Sequence, residues 1–279
     1  MIRHLTHKTS LLTRLTVLAC VVLLLGGCSG DWGWYVVDPT TPKGLINLKF
    51  LIGGLKYTIL LSLTAISISI VLGLLVALPG LTSNPVLRGF NRVYVELMRA
   101  IPILVMILWV YYGMPQLLDE FEILLNSAWT KLTPFEGNIS VPSTITVFWA
   151  GVIALALSDS AFEAEIFRAG IQSIDKGQYE ASHTVALGYV DTMRFIILPQ
   201  AIRRILPALG NQLVYMLKMS SLVSVIGMQE LTRKANELVV TEYRPLEIYT
   251  VLLLEYLVLI LIVSAGVRWF ERRLSASQR

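Results

Sequence analysis

Two ionisable residues sit inside otherwise apolar runs: Lys218 is the one charge in residues 205–229, and Glu255 the one charge in residues 248–267. Hydrocarbon solvates charge poorly, so such groups face a cavity, a partner or each other. At 1.5 Å per residue Lys218 lies roughly 20 Å from the inner end of its run and Glu255 roughly 10 Å below the outer end of the next, depths that coincide in a core about 30 Å thick. The spacing predicts a direct or water-bridged Lys218–Glu255 pair. A second group, Glu163, Glu165 and Arg168, falls near the inner end of another run. There the i,i+3 spacing of Glu165 and Arg168 predicts a structural ion pair on one helix face. Asp159 and Ser160 are weaker candidates for lining a path. Cys20 and Cys28 lack metal-ligand spacing, and His4, His7 and His183 are too scattered for a metal centre.

The elements that carry these residues follow from composition. Of 279 residues 55% are hydrophobic and only 15% charged, and the mean hydropathy is +0.66. A soluble domain carries roughly 25% charged residues, so side chains here face lipid, which excludes soluble enzymes. Charge-poor runs long enough to cross a bilayer as helices fall within 15–30, 57–87, 100–118, 137–158, 205–229 and 248–267. Their length excludes a β-barrel. The chain is therefore expected to be all-α and polytopic.

Lys and Arg place the ends. With the N-terminus inside, Arg3, Lys8, Arg14, Arg88, Arg92, Arg99, Lys176 and the arginines of 168–204 and 268–279 are cytoplasmic, leaving Lys43, Lys49, Lys56, Lys131, Arg233, Lys234 and Arg244 outside. Residues 116–143 then form an outside insertion and 170–204 a cytoplasmic loop. Residues 1–28 read either as an uncleaved anchor helix or as a lipoprotein-like signal ending at Cys28, residues 29–50 as a periplasmic linker, and 275–279 as a cytoplasmic tail. Trp32, Trp34 and Tyr35 read as an interfacial aromatic belt, and Pro79, Pro102 and Pro115 as residues that bend or end helices.

The cytoplasmic loop runs Gly177-Gln178-Tyr179-Glu180-Ala181-Ser182, then Ala186-Leu187-Gly188, then Leu198-Pro199. Two short helical pieces, separated by a glycine and stopped by prolines, fit this pattern. It resembles the EAA loop of ABC importer permeases, with Glu180 and Pro199 holding the nineteen-residue separation. Further stretches in the same order are similar to the permeases for polar amino acids: Gly54-Leu55-Lys56-Tyr57-Thr58, Glu96-Leu97-Met98-Arg99-Ala100-Ile101-Pro102, Tyr111-Tyr112-Gly113-Met114-Pro115, Ala164-Glu165-Ile166-Phe167-Arg168-Ala169-Gly170, Asn211-Gln212-Leu213 and Ser221-Leu222-Val223-Ser224. The chain departs from the family at Ala186, which occupies the place of the loop glycine. Because Gly188 follows two residues later, the turn is expected to shift toward it. Ser182 stands for the second alanine of the motif.

The resemblance implies a five-helix permease domain over 51–274, with a coupling loop at 175–204, plus the extra N-terminal segment. It implies a multi-pass protein of the bacterial inner membrane that moves a polar amino acid by alternating access and performs no covalent chemistry. Gly177, Tyr179, Glu180, Ala181, Ser182, Ala186, Gly188, Leu198 and Pro199 are the expected ATPase-coupling residues. Lys218, Ser221, Asn211, Glu255 and Glu96 are the expected path residues. Implied partners are an ABC ATPase dimer, a second permease copy or paralogue, a periplasmic solute-binding protein and membrane lipid, with no nucleic acid. The chain has no Gly-Lys dipeptide and hence no Walker A loop, so ATP and Mg belong to the partner and no cofactor is expected here. The rival is a secondary transporter or channel using Lys218 and Glu255 as ion-coupling groups.

Overall fold

The computed structural model describes residues 32–132 and 144–276. The anchor or signal segment, Cys28 and residues 133–143 of the outside insertion lie outside the described residues, while residues 116–132 continue as helix. Among those described there is no strand. The helices are α1 (Pro42–Ile52), α2 (Leu55–Leu81), α3 (Pro85–Ala100), α4 (Ile103–Leu108), α5 (Met114–Leu132), α6 (Val147–Gln172), α7 (Lys176–Thr184), α8 (Tyr189–Asp191), α9 (Leu198–Met219), α10 (Leu231–Glu242) and α11 (Pro245–Ala276).

Three helical stretches, Pro42–Leu81, Val147–Gln172 and Pro245–Arg273, are long and apolar enough to cross a membrane. Pro85–Ala100 and Ile103–Trp129 meet the same length and composition test only when taken together, and they are bent by 96°. The bend falls at Pro102, as expected. α9 is too polar to qualify by hydropathy but packs along α6, α2 and α11 and completes a five-helix core. α2 and α6 form its centre. Gly73 makes this possible, since a Cβ there would lie 2.7 Å from the Glu163 Cβ. The main cluster joins α2, α4, α6 and α9 through Leu61, Ile107, Leu155 and Met216.

Two spans sit elsewhere than charge-free runs suggest. α6 occupies 147–172 rather than 137–158, continuing through Asp159, Glu163, Glu165 and Arg168. Hydrogen bonds to Asp159 and the close packing of Glu163 on α2 hold these two acids inside the core, while Glu165 and Arg168 pair at its edge. The fifth span ends at Met219 instead of running to residue 229. Ser220–Ile226 is a 3-10 turn, because the hydroxyls of Ser220, Ser221 and Ser224 donate to Leu217 O (2.8 Å), Lys218 O (2.8 Å) and Ser221 O (2.7 Å). Gly227 then closes it with φ 94°.

Residues 29–50 do not form a linker where they are described. Trp34–Val37 is a 3-10 turn, and α1 follows, capped by Thr41, whose hydroxyl accepts from Gly44 N at 3.1 Å. This unit clasps the outer ends of α10 and α11. Lys43 pairs with Glu242 at 2.7 Å, Gly33 N donates to Glu247 Oε1 at 2.5 Å, and Asn47 Nδ2 donates to Val36 O at 2.9 Å. Trp32 and Trp34 stack at 6.2 Å.

Candidate functional site

The cytoplasmic loop is a compact knob. Asp175 caps α7 by accepting from Gly177 N at 2.7 Å. α7 ends in a Schellman arrangement in which Ala186 N donates to His183 O (3.0 Å) and Leu187 N to Ser182 O (3.1 Å). That motif needs a left-handed residue, and Ala186 supplies it with φ 57°. The turn therefore keeps the glycine position of the resemblance and does not shift: Gly188 has φ −68° and caps α8. An alanine in this conformation costs roughly 1–2 kcal/mol.

The second piece is not stopped by Pro199. α8 runs through a π-helical turn, Thr192–Ile197, directly into α9. The wider turn accommodates the ring, which in an α-turn clashes with the carbonyl four residues earlier. The knob is thus fused to a core helix. It is fastened to α6 as well: Tyr179 packs against Ile171, Ile174 and Ile197, and Arg204 donates to Ser173 O and, at 3.0 Å, to Ser173 Oγ. Gln200 Nε2 donates to Gln178 Oε1 at 3.1 Å.

Of the expected coupling residues, Gly177, Glu180, Ala181, Leu198 and Pro199 are exposed, whereas Ser182 is buried and Tyr179 half-buried. Sequence reasoning missed exposed apolar residues on the same knob, where Val185 is 68%, Tyr189 71% and Val190 72% exposed. Apolar residues in a loop read as core on sequence alone. Only their exposure together marks a contact surface.

A second feature lies inside the core. Ser69 Oγ donates to Asp159 Oδ2 at 3.2 Å, and Gln212 Nε2 donates to Asp159 Oδ1. One turn on, Glu163 is fully buried and its carboxylate has no hydrogen-bond partner. Tyr94 and Ser160 share a hydroxyl contact of 2.8 Å on the neighbouring face. Glu165 and Arg168 form the expected ion pair at 2.6 Å.

The expected path residues do not converge. Asn211 and Lys218 line one cavity of about 340 Å³ together with Arg268 and Glu271. Glu96 lines a different cleft at the inner boundary. Ser221 spends its hydroxyl on Lys218 O. Lys218 and Glu255 make no direct contact: no salt bridge joins them, and both Glu255 carboxylate oxygens are buried without a protein hydrogen-bond partner. The reason is register. Gly210 abuts Val267 and Leu217 clusters with Leu259, so Lys218 is level with residues 258–259 and Glu255 lies about a turn, roughly 5 Å, further out. Among the described residues no group of three His, Cys, Asp or Glu side chains could hold a metal ion.

A bundle of membrane-crossing helices with a rigid knob fused to one of them defines a helical membrane-transport component. The chain belongs to the family of binding-protein-dependent transport system inner membrane components, which matches residues 69–276. It is 31% identical to the glutamine transport system permease protein GlnP of Escherichia coli (strain K12) over 88% of this chain and 98% of that protein. It is 35% identical to the probable glutamine ABC transporter permease protein GlnM of Bacillus subtilis (strain 168), over 83% and 96%. A crystal structure of an amino acid ABC transporter with histidines superposes with a TM-score of 0.68 at 38% identity, covering 82% of this chain and 96% of that one. The chain is thus a multi-pass inner-membrane permease subunit, and neither an enzyme nor an ion-gradient-driven carrier.

Proposed function

We propose that this chain is the permease of an ATP-driven importer for a polar amino acid, coupled to its motor through the 176–199 knob. The observation that carries the reading is the unbroken helical path from Tyr189 to Met219 behind an exposed tip of Glu180, Val185, Tyr189 and Val190. A partner ATPase that grips this tip moves α9 as a lever, since the knob has its own packing and little slack. Two ATPase subunits closing on ATP and Mg would swing two such levers and open the path outward. The proposal keeps Gly177, Tyr179, Glu180, Ala181, Ser182, Ala186, Gly188, Leu198 and Pro199 as the coupling set, with Tyr179 and Ser182 acting from inside the knob and the other seven at its surface. Val185, Tyr189 and Val190 join it.

The need for a second permease, identical or paralogous, rests on α9. Asn211 and Lys218 are exposed in a membrane-embedded helix, and such groups belong against water or a partner rather than lipid. Facing another copy across a water-filled path, they present an amide and an ammonium to the carboxylate of an amino acid. A periplasmic solute-binding protein would deliver that amino acid to the outer ends of α10 and α11. The glutamine named for the bacterial relatives is the first substrate to test. Proteoliposomes containing the permease, its ATPase and its binding protein should accumulate labelled glutamine only with internal-facing ATP. Uptake driven by an ion gradient without ATP would refute the reading.

A further inference from the structure

The inner ends of α2, α3 and α6 enclose a cleft of about 540 Å³ that neither the knob nor the Asn211–Lys218 cavity uses. Arg88, Arg92 and Arg99 project into it from α3, and Arg168 from α6, against two acids, Glu96 and Glu165. Glu165 is already occupied, taking Arg168 Nε at 3.2 Å and Nη2 at 2.6 Å. Arg99 lies over the Phe162 ring at 5.2 Å and Arg88 donates to Ser83 O at 3.3 Å. Arg92 makes neither an ion pair nor a hydrogen bond among the described residues. The cleft thus holds a net positive charge with at least one guanidinium unspent, and guanidinium forks match phosphate oxygens.

Its surroundings say what carries the phosphate. The cleft is bounded by Gly80, Leu81 and Thr82, where α2 leaves the membrane on the arginine-rich side. Just above it α2 exposes Leu74, Leu75 and Leu78. On the face of α3 opposite its arginines Val86, Phe90, Val93 and Leu97 are exposed, the pattern of a helix lying at the membrane boundary with its apolar side among acyl chains. An inner leaflet is negatively charged, and basic pockets between helices at that level suit anionic headgroups. We propose that this cleft binds the phosphate headgroup of an anionic phospholipid of the inner leaflet, with the acyl chains lying along Leu74, Leu75 and Leu78. This assignment stands independently of the knob's partner.

The test uses the purified full-length chain in neutral detergent. Melting is followed while phosphatidylglycerol, phosphatidylcholine or inorganic phosphate is added, and lipid retained per chain is counted by native mass spectrometry. Phosphatidylglycerol should raise the melting temperature by several degrees and remain bound, while phosphatidylcholine does neither. Arg92→Gln should melt normally in phosphatidylcholine, because Arg92 is exposed and unpaired, yet lose at least half of the phosphatidylglycerol shift. Arg92→Lys should keep part of it. Equal shifts from the two lipids, or a full shift in both Arg92 variants and in Arg88→Gln, would overturn the proposal. An equal effect from inorganic phosphate alone would identify a soluble anion as the ligand and overturn the lipid assignment.

Discussion

Thr192 donates its hydroxyl to Ser182 Oγ across 3.0 Å inside the knob, while Ser182 donates to Tyr179 O at 2.6 Å. This relay ties α7 to the π-helical turn that leads into α9, so the motif position occupied by Ser182 is structural rather than a contact for a partner. Ser182→Ala leaves the Thr192 hydroxyl without its acceptor and should cost about 1 kcal/mol. Ser182→Leu, which has no space, should cost more and reduce coupled uptake. Chemical denaturation and transport assays on both variants check this, and an unaffected Ser182→Leu would contradict it.

Ala186 and Gly188 make an opposed pair. Replacing the left-handed Ala186 by glycine should stabilise the protein by about 1 kcal/mol. Gly188→Ala should be neutral, because its φ is −68° and no atom lies within 4 Å of an added Cβ. The melting temperatures of the two variants report the order directly.

Gly73 is the point where α2 and α6 close on one another. A Cβ there would meet the Glu163 Cβ at 2.7 Å and Ser160 O at 3.0 Å. Since backbone cannot yield cheaply, Gly73→Ala should destabilise by about 1–3 kcal/mol. Gly89→Ala, with nothing within 4 Å, serves as the tolerant control in the same melting series.

Lys218 and Glu255 should behave as strangers. With no direct pair, the effects of Lys218→Met and Glu255→Gln on stability should add to within about 0.5 kcal/mol. Glu255→Gln alone should cost little, because no hydrogen-bond partner is lost. A coupling energy well above that bound in the double-mutant cycle would restore the pair.

The limits of the sequence are visible in these same residues. α2 was legible because residues 57–87 carry no charge and fill the membrane alone. For α6 the charge-free run 137–158 ends at Asp159 and lies about ten residues too far out, whereas the helix carries Asp159 and Glu163 inward once Ser69, Gln212 and Gly73 provide their setting. Run boundaries put Lys218 and Glu255 at one depth, whereas the packing of α9 on α11 offsets them by about a turn, enough to remove a direct contact. The knob's outline followed from Glu180 to Pro199. Its continuity with α9 did not, since proline normally signals a break and the π-helical turn that absorbs it leaves no mark in composition. The exposure of Val185, Tyr189 and Val190 is a tertiary property that periodicity cannot report.

The coupling claim is tested most directly by Glu180→Lys. Glu180 is exposed at the knob tip, so the variant should insert and melt like the wild type while ATP-dependent amino-acid uptake in proteoliposomes with the partner ATPase and binding protein falls at least tenfold and the ATPase no longer co-purifies. Wild-type uptake with the ATPase still bound would contradict the account.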